Sequence, residues 1–201
     1  MNYYQIKKVD KEIDWTRVEP LEIGCRYFDT PKDLRAFAQI CYNDEGIQVH
    51  LYAENDDVRA VETGALGAPY EDSCLEFFFA PMEGDVRYFN IELNSNCCLY
   101  LGFGRDRGDR TRLINDEGDE TLAPRASLTT SGWEIYYTVP YTLIRRFFPD
   151  FQITKGKTMR ANCFKCSDLT VPANYMSWSP VTTEDFTFHR HACFGMMEFE
   201  G

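Results

Sequence analysis

The feature that most constrains this chain is alternation. Apolar side chains fall on every second position in at least five separate stretches, as in Ile47-Gln48-Val49-His50-Leu51-Tyr52-Ala53. The same pattern recurs at Leu75, Phe77 and Phe79, at Phe89, Ile91 and Leu93, at Trp133, Ile135, Tyr137 and Val139, and at Met197 and Phe199. A period of two is what a strand with one buried face requires, because successive side chains point to opposite sides of a pleated sheet. Breakers separate the stretches: Asn43-Asp44-Glu45-Gly46, Pro81 with Gly84, Gly102 with Gly104 and Gly108, Gly118, Ser131-Gly132, Pro149 and Gly156. Only Tyr141 to Phe148, after Pro140, reads as a short helical turn, with Leu143, Ile144 and Phe147 able to share a face. The expected fold is therefore all-β, an antiparallel two-sheet β-sandwich of jelly-roll-like kind, with a closed barrel as the alternative. Trp15 and Trp133 are expected in its core, and the polar, mixed-charge stretch Arg105 to Glu120 is expected to be a long exposed loop.

No repeat, low-complexity tract or linker interrupts the 201 residues, so one domain spanning residues 1–201 is expected. An aromatic content of 15% suits strands, where flat rings pack on a half-buried surface, and the same rings can stack on sugars. A net charge of −11 repels a phosphate backbone, so nucleic acid is not expected as a partner. No stretch approaches the ~20 apolar residues of a membrane span. Met1 to Asp10 lacks the basic-then-apolar order of a signal peptide, so a cytoplasmic location is expected. In that compartment the eight cysteines are expected to be reduced. Cys163 and Cys166 have the spacing of half a zinc site but lack two further close ligands; packing of small thiols is expected, and no metal.

The segment with the most chemistry is Tyr70-Glu71-Asp72-Ser73-Cys74-Leu75-Glu76-Phe77-Phe78-Phe79, followed after a short loop by Tyr88-Phe89-Asn90-Ile91-Glu92-Leu93-Asn94. If the two halves form a hairpin, their apolar faces share one side of the sheet, since a one-residue slip would invert every side chain. The opposite face then carries Asp72, Cys74, Glu76 and Phe78 beside Tyr88, Asn90, Glu92 and Asn94, in a register that sets Glu76 against Asn90. Carboxylates and amides on a rigid sheet, with Tyr70 just before the strand, are parts that sugar recognition uses: hydroxyls need paired acceptors and donors, and a pyranose face needs a ring. The same pattern also fits a merely solvated outer face.

The Asp72-Ser73-Cys74-Leu75-Glu76-Phe77-Phe78 strand resembles the Asp-Ser-apolar-Glu strand of the family 9 carbohydrate-binding modules, which are β-sandwich domains. Other landmarks follow in order: Trp15, Gly132-Trp133-Glu134-Ile135, Val139-Pro140-Tyr141, Arg160-Ala161-Asn162, Trp178-Ser179-Pro180, Phe188-His189-Arg190 and Phe194-Gly195. The resemblance implies non-catalytic binding of a mono- or oligosaccharide, with two rings sandwiching a terminal sugar while a glutamate, an amide and a basic side chain hold its hydroxyls. Glu76 matches that glutamate and Tyr70 the first ring; Tyr175 or Trp178 is the candidate second ring and Asn174 the amide. Where the basic residue is expected on the second hairpin strand, this chain has Asn90 and Glu92. Relatives are often secreted, and several bind structural calcium.

Four further readings compete. The run Glu54-Asn55-Asp56-Asp57 offers oxygens of the kind calcium takes, but lacks the spacing of an EF-hand loop; a solvated loop and no cofactor are expected. His189-Arg190-His191 is expected to be structural, because no acidic partner or nucleophile motif adjoins it. Glu76 and Glu92 together could serve a glycoside hydrolase, whose carboxyls stand about 5 or about 6.5–9.5 Å apart. Such enzymes build a deep cleft on a larger scaffold, so no catalytic residue is expected. A protein-interaction sandwich without sugar binding is the last alternative.

Overall fold

The computed structural model describes residues 2–114, 121–182 and 184–201, and in it the alternating stretches become paired strands. In chain order these are β1 (Tyr3–Lys8), β2 (Leu21–Glu22), β3 (Cys25–Tyr27), β4 (Arg35–Tyr42), β5 (Gly46–Glu54), β6 (Cys74–Ala80) and β7 (Tyr88–Asn94). They continue with β8 (Leu99–Gly104), β9 (Arg110–Arg112), β10 (Arg125–Leu128), β11 (Gly132–Pro140), helix α1 (Tyr141–Phe147), β12 (Thr158–Ser167), β13 (Asn174–Ser177) and β14 (Gly195–Phe199).

The strands join into one curled sheet in the order β10-β11-β5-β4-β1-β14-β12-β6-β7-β8-β9, with β2 beside β4 and β13 bridging β12 to β3. The expectation of a purely antiparallel arrangement is corrected here, because the sheet is mixed. Tyr3 to Ile6 of β1 run parallel to β14, and Lys7 and Lys8 run parallel to β4. One short strand thus connects the two arms, and alternation within it carries no information about its direction. The arms close on a common core: Leu75, Phe77, Phe79, Phe89, Ile91 and Leu93 cluster with Val49, Leu51, Trp133 and Ile135, all fully buried. Each such side chain contributes about 1.5–3 kcal/mol on removal from water.

The short helix after Pro140 is present, with Leu143 and Ile144 buried on its inner side. Trp133 is a core residue as expected, and its Nε1 donates to Asp56 at 2.9 Å. Trp15 is not: it is half-buried in a 3-10 turn and lies against His50 and Tyr136 on the outer face of β5 and β11. The stretch Arg105 to Glu120 is also not simply a loop, because Arg110 to Arg112 pairs with Gly102 to Gly104 as β9. Residues 115–120, including the breaker Gly118, lie outside the described residues.

Candidate functional site

The parity of the β6–β7 hairpin puts Cys74, Glu76 and Phe78 on the face away from the core, beside Tyr88, Asn90, Glu92 and Asn94. That face carries the polar groups expected of it, but it is not a solvated outer face, since all seven side chains are buried. A second apolar cluster covers it, built from Tyr27, Phe164, Val181, Phe188 and Phe194, with Tyr175 and Phe186 partly buried against it. A cavity of about 300 Å³ opens onto it among the described residues. Its inner end is made by Glu76, Glu92, Arg110 and Cys166, and its walls include Tyr70, Tyr175, Phe28, Phe186 and His189.

The register differs from the expected one by two residues. Glu76 faces Glu92 directly and Asn90 faces Phe78. A shift of two leaves the face of every side chain unchanged, so alternation could not exclude it. Its chemical result is large, because two carboxyl groups now stand side by side, each only 3% exposed. Burial and then repulsion by Glu92 push the Glu76 carboxyl well above the usual carboxylate range. Burial also raises Glu92, against the opposing pull of Arg110 and of the Asn90 hydrogen bond.

Arg110 supplies the positive charge that the second hairpin strand lacks. It arrives from β9, two strands away, and its Nη1 lies 3.4 Å from Glu92 Oε1 and 2.9 Å from His189 Nε2. Its guanidinium sits 4.6 Å above the Tyr100 ring, and that ring also lies 4.4 Å from the guanidinium of Arg112. Burial and the neighbouring Arg110 and Arg107 lower His189 to about 3, so the ring is neutral and accepts a hydrogen bond from Arg110 through Nε2. Its other nitrogen meets the Tyr88 hydroxyl at 2.9 Å.

The remaining sequence candidates divide between cavity and interior. Tyr70 is presented by the 3-10 turn Pro69–Glu71, and its ring meets Tyr100 edge-on at 6.5 Å. Tyr175 donates through its hydroxyl to Asp168 Oδ1 at 2.9 Å and packs edge-on against Phe28 and Phe186. Asn90 does not line the cavity; its Nδ2 donates to Glu92 Oε1 at 2.7 Å and orients that carboxyl. A Cβ on Gly102 would come within 2.2 Å of Asn90 Oδ1, so the glycine makes room for the amide.

Asn174 and Trp178 are corrections. Asn174 turns inward to accept from Lys165 Nζ at 2.9 Å, and Trp178 joins the main core, its ring against Gly195. Both lie an odd number of residues from Tyr175 along extended chain, which places them on the other side. Asp72, from the Asp-Ser portion of the motif, is structural: its Oδ2 accepts from the amides of Val61 and Glu62 and from Asn94 Nδ2 at 2.7–2.9 Å, and Arg59 bonds its other oxygen. Asp56, in the run considered for calcium, has its carboxylate engaged by Trp133 and by Lys165 Nζ at 3.3 Å.

Sequence reasoning missed Arg110, His189, Asp168 and the covering rings Phe28 and Phe186. A faint signal was available for the first, since Arg110-Thr111-Arg112 is itself a period-two pair of cations.

The chain matches a family described as carbohydrate-binding family 9 over residues 8–199. No curated protein matches it. Among solved structures it is similar to a protein from Bacteroides uniformis ATCC 8492 provisionally described as carbohydrate-binding, at a TM-score of 0.82 and 28% identity over 98% of this chain and 99% of that one. It is also similar in fold to a family 9 carbohydrate-binding module from Caldicellulosiruptor kristjanssonii in complex with glucose. That match has a TM-score of 0.67 and 13% identity over 100% and 96% of the two chains. A complex of a family 9 module from the same organism with cellotriose gives 0.66 and 13% over 100% and 94%.

Proposed function

The chain belongs to carbohydrate-binding family 9, and from that premise we propose that the cavity holds one end of a mono- or oligosaccharide without chemically altering it. The observation that carries the reading is the pairing of Glu76 and Glu92 with Arg110 at the buried end of a ring-walled cavity. Sugar hydroxyls are both donors and acceptors, and a pair of carboxyl groups beside a guanidinium answers both needs. Tyr70 on one wall and Tyr175 on another offer ring faces for the apolar side of a pyranose. The volume is at the low end for small-ligand sites, which suits a terminal unit better than the middle of a chain. Glucose and cellotriose, the ligands in the Caldicellulosiruptor complexes, are the first sugars to try.

Binding is favoured over hydrolysis by the hairpin register. Directly opposed residues of adjacent strands approach a ligand from the same side, whereas glycosidases place their acid and their nucleophile or base on either side of the scissile bond. Calorimetry with glucose, cellotriose and a glycan panel tests the reading. Glu76→Gln should weaken binding by roughly 10- to 100-fold, or about 1–3 kcal/mol, because a carboxyl oxygen that can accept is replaced by an amide nitrogen that only donates. Tyr70→Ala should weaken it by removing a stacking face. Incubation with oligosaccharides should release no new reducing ends. Unchanged affinity in a folded Glu76→Gln protein would place the sugar elsewhere.

A further inference from the structure

Cys163 and Cys166 have the spacing of half a metal site, but three residues apart on a strand they point to opposite faces: Cys163 belongs to the main core and Cys166 to the cavity. The partner of Cys166 is instead Cys74, directly across the β12–β6 ladder. Two positions along β6 from Cys74, on the same face, is Glu76, whose Oε1 lies 2.9 Å from Cys166 Sγ. One oxygen and two sulfurs are thus gathered within 4.8 Å of one another. We propose that Cys74, Cys166 and Glu76 form a binding site for a thiophilic divalent cation of the Zn²⁺ class, with its fourth position open to the cavity.

Tetrahedral zinc with bonds of ~2.3 Å to sulfur and ~2.0 Å to oxygen separates its ligand atoms by roughly 3.5–3.8 Å, so closing the site needs side-chain shifts of about 1 Å or less. Three protein ligands plus one exchangeable position is the arrangement of an accessible zinc site, unlike the four-ligand structural kind. Cys166 and Glu76 both line the cavity, so the ion has an entry path and the open position faces where a water or ligand hydroxyl can sit. A second carboxyl, Glu92, stands beside Glu76 and can answer a bound cation as well. On binding, the two thiol protons and the proton that burial keeps on Glu76 pass to solvent, and the cation offsets the negative charge this leaves beside Glu92. Soft sulfur donors select zinc or cadmium over magnesium or calcium.

The test uses the reduced full chain under anaerobic conditions with no sugar present, so failure of the sugar reading cannot be mistaken for failure of this one. Zn²⁺ and Cd²⁺ are titrated in turn, the second followed by its ultraviolet thiolate charge-transfer band. One ion per chain is expected, and zinc-edge X-ray absorption of the wild-type complex should count two sulfurs in the coordination shell. Cys74→Ser and Cys166→Ser should each weaken Cd²⁺ binding at least 10-fold, while Cys163→Ala and a Cys97→Ser/Cys98→Ser double variant leave it unchanged. Absence of stoichiometric binding, a sulfur count of zero or four, or a band that survives loss of both Cys74 and Cys166 would overturn the site. A Cys74–Cys166 disulfide that persists in reductant would do the same. The absorption count needs no variant, so a Cys→Ser protein that fails to fold leaves the question decidable.

Discussion

Arg110→Met removes the charge from the cavity while keeping most of the aliphatic stem. In the folded protein this guanidinium is 12% exposed, and it touches the 3%-exposed Glu92, neutral His189 and the face of Tyr100. A hydrogen bond to a charged group is worth about 1.5–3 kcal/mol, and a partly desolvated cation–π contact about 1–2. One guanidinium makes all three contacts, so they do not add; a loss of roughly 2–4 kcal/mol at pH 8 is expected. That corresponds to a fall in Tm on the order of 10 °C for a chain of this size. The loss should shrink as pH falls. Arg110 favours the ionised form of Glu92, so without it Glu92 holds its proton to higher pH and the deficit accumulates only as pH rises through the wild-type titration. His189 acts in the same direction, because removing the cation beside it lets it take up a proton in acid. Denaturant unfolding of both proteins at pH 5, 6.5 and 8 measures the difference. A deficit of equal size at pH 5 and pH 8, or below about 0.5 kcal/mol throughout, would show that Arg110 is not the counter-charge of a buried carboxyl.

Two other perturbations read separate parts of the structure. His189 titrates near 6.5 when unfolded and near 3 when folded, so stability should decline on acidification from about pH 6.5 to 3, where only the unfolded chain takes the proton. His189→Gln should flatten that decline by up to about 1.4 kcal/mol per pH unit in acid-dependent unfolding, and an unaltered slope would contradict the buried placement. At Gly195, a methyl group would come within 2.6–2.8 Å of the Trp178 ring and 3.0 Å of the Asn2 carbonyl. Gly195→Ala should therefore cost about 1–3 kcal/mol by overpacking, and an unchanged Tm would argue against Trp178 in the core.

What could be read in the sequence follows from what a period of two encodes. It fixes which face a side chain occupies, so the core residues of β6, β7 and β11 were legible, as was the sidedness of Glu76 and Glu92. It cannot fix register beyond even shifts, and the seven-residue connection between Ala80 and Tyr88 does not supply the missing constraint. The Glu76–Glu92 pairing was hidden for that reason. Nor does it report what lies over a face. The described residues between Trp178 and Phe194 are largely irregular, yet Val181, Phe188 and Phe194 among them turn the outer face of β6 and β7 into a second interior. Parity was nevertheless available where it was not applied: Asn174, Tyr175 and Trp178 could not all face one cavity, and Tyr175 alone does. Arg110 lies beyond what a period of two can encode. A three-residue edge strand within a mixed-charge stretch has no apolar period, and only the ladder from β7 through β8 to β9 brings its charge to Glu92. The cation that the family pattern places on one strand is here brought to the cavity by another, from a residue outside the motif.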